Sequence, residues 1–370
     1  MKKKLLIYGA GAIGRGYLPW VFSEKHYDFY FVDINKNLIS LLKKKKNYET
    51  FKIVNNKYIS KKIFPKNVYN LNEEIEHINN FDLIITCVGT RQSNSIFKNI
   101  SLFKKKIICL ENDPSVVENY KRETEKKNMF FGIPDVITSN TAPTKIKNRN
   151  KLNLITEKGT CYLDKKLKIK NTNAIFLDPK NLKIQWLAKL YIHNSSHCIC
   201  AYLGNLIKKK YLHEALESNN IKKIVKECIA ELSKMLVKKY DMNKKFVTSY
   251  GSKEFRRFSN KLLFDPISRV AREPFRKLQP KERLIGAANE CLAIGIEPKA
   301  LSIGIISAIN YSNTKDEDIN LRILRKALDH KDMLKIILNL RDDEPLYQLL
   351  IKNWKIINTK LKIIKNEHRR

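Results

Sequence analysis

The chain begins with a short apolar run, Lys4–Tyr8, that breaks at once into Gly9-Ala-Gly11-Ala-Ile-Gly14 and a helical pattern. Asp28–Val32, ending at Asp33, is the next run of strand length, followed by Phe81–Val88 and Lys106–Leu110. The last two end in polar or glycine-containing turns, the first of them at Gly89-Thr90. Apolar strands separated by helical patterns predict an α/β fold with a parallel, doubly wound sheet. Leu152–Lys170 alternates around Gly159, which predicts an antiparallel excursion. From about Leu182 the period becomes that of amphipathic helices, over Ile184–Lys209, Ile221–Tyr240, Lys281–Ile294, Leu301–Asn310 and Asp316–Ala327. Pro266, Pro274, Pro280 and Pro298 fall at expected helix starts or turns. The pattern therefore divides the chain into a parallel-sheet domain over 1–180 and a mainly helical domain over 181–370.

Three glycines in G-x-G-x-x-G spacing carry little weight alone, but here the motif leaves a strand, opens a helix and precedes Asp33 by 19 residues. Gly9 would permit the tight turn, Gly11 would let backbone approach a pyrophosphate, and Gly14 would allow close helix–strand packing. A helix N-terminus then favours phosphate through free N–H groups and its dipole. Asp33 would accept hydrogen bonds from ribose hydroxyls and repel a 2′-phosphate, which favours NAD over NADP. The expected cofactor contacts are Gly9, Gly11, Ile13, Gly14 and Asp33, with Gly89 as a second point of approach or simply a turn.

Charge changes the picture less than its size suggests. The 370 residues carry 72 Lys and Arg against 37 Asp and Glu, a formal net charge of +35. Interaction tails are usually blocks of like charge, whereas these cations are spread from Lys2 to Arg370. Compositional drift is the favoured reading, and no specific nucleic-acid partner is expected. The seven cysteines form no C-x-x-C pair, which points to reduced thiols, a cytoplasmic setting and no metal site. No apolar run reaches the roughly 18 residues that span a bilayer. The basic and apolar start resembles a signal peptide, but Arg15 and the glycines interrupt it, so a buried first strand is expected.

Lys189-Leu-Tyr-Ile-His-Asn194-Ser-Ser-His197 lies in the first helical stretch of the second half. At about 100° per residue, His197 lies ~80° and Asn194 ~140° round the helix from Lys189. A lysine that can exchange a proton, an amide donor and an imidazole are what carbonyl–alcohol interconversion requires. Taken alone, the three would more often be ordinary polar helix residues.

Two further stretches alter that balance: Arg257-Phe-Ser-Asn260 with Asp265-Pro-Ile-Ser-Arg269-Val-Ala-Arg272-Glu-Pro274-Phe-Arg276-Lys277-Leu278, and Glu282-Arg283-Leu-Ile. Together with the glycine motif and Lys189/Asn194/His197, they resemble the polyol-specific long-chain dehydrogenases, a zinc-independent family. The resemblance runs from Met1 to about Tyr311 and is patchy between Asn35 and Phe81. It implies a Rossmann-type domain, a mainly helical C-terminal domain and a cleft between them. It also implies NAD-dependent interconversion of D-mannitol 1-phosphate and D-fructose 6-phosphate, a small-molecule polyol phosphate as partner, and no membrane. By the same resemblance Lys189 is the general acid/base. Asn194 and Asn112 stabilise the developing alkoxide, and His197 bonds the substrate's oxygen.

The chemistry agrees: a lysine starting near pKa 10.4 must fall by about 2–3 units to act near neutrality. Preorganised amide donors at the oxygen are worth roughly 3 kcal/mol each. Arg269, Arg272, Arg276 and Lys277 place four cations within nine residues, and arginine suits a phosphate. At least one is expected to hold substrate phosphate, against the alternative of a solvated basic face. Two departures leave the substrate open to another ketose, sugar phosphate or sugar keto-acid. The family's Val-Asp-Arg-Ile is here Val136-Ile-Thr-Ser139, and its Arg-Leu-Ile-Lys-Pro is Arg283-Leu-Ile-Gly286-Ala287.

Overall fold

The computed structural model describes residues 1–73, 75, 77–312 and 319–367. The chain divides into two compact units, Met1–Trp186 and Leu187–Arg370. The division falls inside a helix, Pro179–Ala188, a few residues beyond the change of sequence period.

Among its described residues the first unit contains twelve strands: β1 (Lys3–Tyr8), β2 (Tyr27–Asp33), β3 (Tyr48–Val54), β4 (Lys57–Ile63), β5 (Asn67–Asn70), β6 (Leu83–Thr86), β7 (Ile107–Cys109), β8 (Met129–Asp135), β9 (Thr138–Ser139), β10 (Leu154–Thr156), β11 (Thr160–Asp164) and β12 (Ile175–Leu177). Six of them pair in parallel in the order β5-β2-β1-β6-β7-β8. Counted along that sheet the order is the 3-2-1-4-5-6 of a doubly wound dinucleotide fold, whose ligand crevice lies where the order reverses, between β1 and β6. Alternation along β1 explains why both faces are covered. Leu5 and Ile7 enter one core cluster, and Leu6 and Tyr8 enter the other.

The predicted excursion is present: β11 runs antiparallel to β8 and carries β12 at the sheet's edge. Its neighbour β10 instead joins a second sheet, β4-β3-β10-β9. That sheet, with β3 and β4, was not anticipated, nor was β5 at the edge of the parallel sheet. Lysines at positions 57, 61 and 62 leave β4 too polar to read as a buried strand.

The second unit is helical. Its main helices are Ser196–Leu206, Asn219–Tyr240, Lys244–Phe258, Ile285–Leu292, Lys299–Ile309, Ile319–Ala327, His330–Leu338 and Pro345–Glu367. Ser218 caps the longest but one by accepting from Ile221 N, and Asn243 caps the next by accepting from Phe246 N. Pro274 occupies the first turn of a short helix, while Pro266 and Pro298 directly precede helices. The helix predicted over Asp316–Ala327 is seen as Ile319–Ala327; positions 316–318 lie outside the described residues.

Candidate active site

In the first unit the glycine turn leaves β1 at the point of strand reversal. Gly9 has φ +101°, and a Cβ there would come within 2.5 Å of the Cys87 carbonyl oxygen. A Cβ on Gly14 would sit 2.0 Å from the Gly9 oxygen, so two of the three positions require glycine for close packing. Gly11 differs: a Cβ there would meet nothing within 4 Å. That open face is what a phosphate approaching the backbone needs. Residues Ala12–Tyr17, Ile13 among them, then wind as a π-helix instead of an α-helix. Arg15 is buried beneath the turn, its Nε donating to Ala10 O at 2.5 Å and Nη1 to Leu152 O at 2.7 Å. Its guanidinium also lies 5.2 Å over the Tyr48 ring. Sequence reading gave Arg15 no task; the structure makes it a strut.

Asp33, at the end of β2, accepts from Ala10 N (2.8 Å) and Asn35 N (2.9 Å), one bond on each oxygen. A carboxylate has about four acceptor sites, so lone pairs remain for a ribose. Gly89 has φ +94°, and a Cβ there would meet nothing within 4 Å. Its conformation is fixed by a residue that sequence reading missed. The buried Glu111 carboxylate accepts from Val88 N at 2.8 Å and Gly89 N at 3.0 Å. The next residue, Asn112, is exposed, with its backbone carbonyl accepting from Trp186 Nε1 at 2.9 Å. The glycine turn, Asp33 and Gly89, the cofactor contacts expected from sequence, thus lie together at the carboxyl ends of β1, β2 and β6.

In the second unit Lys189–Ser195 is again π-helical and runs into the α-helix Ser196–Leu206. This corrects the angular estimate. A π turn closes i→i+5, about 80° per residue, which brings Asn194 to within ~40° of Lys189. Over the same turns His197 falls ~40° to the other side. The wider turn therefore narrows the arc shared by the three side chains from ~140° to ~80°. All three are buried, at 8%, 9% and 8% exposure.

Two acid-braced histidines stand one turn apart. His193 Nδ1 hydrogen-bonds the Glu254 carboxylate, which also accepts from Arg257 Nη1 at 2.5 and 2.7 Å. His197 Nε2 lies 2.9 Å from Asp265 Oδ2, and Arg269 donates to Asp265 Oδ1 through Nε (2.9 Å) and Nη2 (2.6 Å). The Phe258 ring stacks on His197 at 4.8 Å between centroids. Burial pushes the His197 pKa down, against the pull of Asp265. Burial also pushes Asp265 up, yet Arg269 and His197 outweigh it and hold that carboxyl at about 2.

The basic run is less available to a ligand than its sequence suggests. Arg269 is engaged by Asp265, and Arg276 bonds Glu273 (2.9 Å) and Glu282 (2.6 Å). The Lys277 ammonium is buried and donates to Val270 O at 2.6 Å and to Arg272 O, capping the short helix Ile267–Ala271. Burial lowers its pKa to about 7. Arg272 is exposed, and among the described residues no ion pair joins it to a carboxylate.

The strand order and the open glycine turn define a Rossmann-type dinucleotide-binding chain extended by a helical unit. The comparisons narrow this to a family. Residues 3–122 match the mannitol dehydrogenase Rossmann domain and residues 183–347 the mannitol dehydrogenase C-terminal domain, and the chain belongs to the mannitol dehydrogenase family. It is 28% identical over 386 residues to the mannitol-1-phosphate 5-dehydrogenase of Caldanaerobacter subterraneus subsp. tengcongensis, covering 97% of this chain and 99% of that one. The mannitol-1-phosphate 5-dehydrogenase of Bacillus subtilis is 27% identical over 374 residues, covering 94% and 98%. The fold is shared with two solved structures. Substrate-free D-sorbitol dehydrogenase has a TM-score of 0.70 at 15% identity, over 99% of this chain and 94% of that one. Pseudomonas fluorescens mannitol 2-dehydrogenase, in ternary complex with NAD and D-mannitol, has a TM-score of 0.73 at 12% identity, over 98% and 94%.

Proposed function

We propose that the chain is an NAD-dependent oxidoreductase interconverting D-mannitol 1-phosphate and D-fructose 6-phosphate, with Lys189 as general acid/base. The observation that carries this reading is the buried π turn that gathers Lys189, Asn194 and His197 on one face. It occurs in a chain similar over nearly its whole length to proteins named mannitol-1-phosphate 5-dehydrogenase. In the direction of oxidation, Lys189 Nζ takes the hydroxyl proton. Asn194 and Asn112 donate to the oxygen as negative charge builds on it, which lowers the barrier more than it tightens substrate binding. His197 hydrogen-bonds the polyol. Bound NAD would accept the hydride, held at Gly9, Gly11, Ile13 and Gly14, with Asp33 on the ribose and Gly89 beside it. Among the cations of the basic run Arg272 is the one proposed for the substrate phosphate, because Arg269 and Arg276 are engaged by carboxylates and Lys277 by backbone.

A second reading, reduction of another ketose or of a sugar keto-acid, is favoured by one observation. Where the family carries an acid and an arginine, Ile137 and Thr138 are buried, and Thr138 pairs its hydroxyl with Thr156 at 2.9 Å. The two readings separate in one experiment: NADH oxidation measured against fructose 6-phosphate, fructose, other ketose phosphates and keto-acids. Fructose 6-phosphate should give the highest kcat/KM. Equal rates on fructose and fructose 6-phosphate, or preference for a keto-acid, would transfer support to the second reading.

A further inference from the structure

We infer that Asp265, braced by Arg269, is a positioning residue that fixes the proton of neutral His197 on Nε2, so that His197 recognises a second hydroxyl of the substrate rather than the reacting oxygen. The inference rests on the function proposed above for the identity of the substrate, and on geometry for the rest. Asp265 Oδ2 lies 2.9 Å from His197 Nε2, while its other oxygen is occupied by both Nε and Nη2 of Arg269. An ionised carboxylate can only accept hydrogen bonds. The proton between Asp265 and His197 therefore belongs to the ring, at Nε2. The Phe258 ring stacked on the imidazole resists its rotation, and the neighbouring His193, Glu254 and Arg257 are bonded among themselves. With Nε2 spoken for, the nitrogen left for a ligand is the unprotonated Nδ1, an acceptor and not a donor.

An acceptor has consequences at a dehydrogenation site. The alcohol that is oxidised has one hydroxyl hydrogen, and Lys189 must take it. A bare Nδ1 cannot also bond that oxygen, and it cannot donate to the ketone carbonyl that replaces it. It can accept from a hydroxyl on a carbon next to the reacting one, which keeps its proton throughout the reaction. His197 would thus select a hydroxy ketone and its vicinal diol over a simple ketone and alcohol. Arg269, a candidate phosphate ligand from sequence, becomes the brace that keeps Asp265 turned toward His197.

Asp265→Asn tests this, because Arg269 would retain the carboxamide oxygen and turn the NH2 group toward Nε2. That places a donor where an acceptor stood and drives the ring proton to Nδ1. Nitrogen-15 NMR of the histidine rings should find His197 protonated on Nε2 in the wild type and on Nδ1 in Asp265→Asn. In steady state, wild-type kcat/KM should fall at least tenfold on an analogue of fructose 6-phosphate lacking one of the hydroxyls that flank the carbonyl. Asp265→Asn should lose that discrimination, mainly through a raised KM for the full substrate. Asp265→Glu, which keeps an acceptor, should restore part of it. Wild-type protonation on Nδ1, or unchanged discrimination in a folded Asp265→Asn, would overturn the inference. The NMR readout needs no turnover, so inactivity on every ketose phosphate would overturn the functional reading and leave the tautomer to be judged separately.

Discussion

Replacing Glu111 by Gln changes one atom in a side chain that holds the Gly89 turn. In the wild type each carboxylate oxygen accepts one backbone N–H, from Val88 at 2.8 Å and from Gly89 at 3.0 Å, in a site only 4% exposed. Gln keeps one acceptor and sets an NH2 group against the other N–H. Losing one charge-assisted bond costs about 1.5–3 kcal/mol, and the surviving bond loses its ionic contribution. The sum is about 2–4 kcal/mol on a turn whose positive φ already needs support. If that turn meets the cofactor, the cost appears in NADH binding, with an upper bound of about 30- to 700-fold at 1.4 kcal/mol per decade. Fluorescence titration should show the Kd for NADH raised at least tenfold, while kcat at saturating NADH stays within about threefold. Circular dichroism would establish that the variant is folded. A folded Glu111→Gln chain binding NADH within twofold of wild type would refute the reasoning and reduce Gly89 to a structural turn.

Three other outcomes follow from the same geometry. Asp33→Ser should weaken NAD binding and relax discrimination against NADP, with some loss of stability because Ala10 N and Asn35 N lose their acceptor; a wild type that prefers NADP tenfold would contradict it. Arg272→Ala should raise KM for the phosphorylated substrate while changing little toward an unphosphorylated polyol, and an unchanged KM ratio would remove Arg272 from the phosphate site. Glu231, which accepts from Ala300 N (2.7 Å) and Leu301 N (3.2 Å), is pushed by burial from the ordinary value of about 4.3 to about 7. Between those values the folded chain binds the proton that the unfolded chain has released, so this group's contribution to stability is full below about pH 4 and falls until about pH 7. Urea unfolding across that range should show a smaller decline in Glu231→Gln, and an identical decline would assign it elsewhere.

The sheet was legible where strands are buried on both faces, because β1, β2, β6 and β7 are apolar runs that need no partner to be recognised. It was illegible at β3 and β4, where lysines interrupt the apolar pattern, and at β10, a three-residue strand whose partner β3 lies about a hundred residues earlier. The glycine turn could be read because the positive φ of Gly9 and the close approach of Gly14 to the Gly9 carbonyl are demands local in sequence. Glu111 could not, since its partners Val88 and Gly89 are brought to it by the pairing of β6 with β7, from 23 and 22 positions earlier in the chain. The basic run shows the same limit from another side. The run was read for phosphate or as a solvated face, whereas Asp265 engages Arg269 at i,i+4, Glu273 engages Arg276 at i,i+3, and Lys277 faces inward. Nor did composition disclose the π turn at Lys189–Ser195, so the 100° rule misplaced Asn194 relative to the lysine.

Single-turnover oxidation of NADH by fructose 6-phosphate, in the wild type and in Lys189→Ala, tests the proposed chemistry most directly. The wild type should turn over, and the variant should bind NADH within about twofold of it yet react about 10² to 10⁴ times more slowly. A Lys189→Ala chain that reduces fructose 6-phosphate at the wild-type rate would contradict the mechanism at its centre.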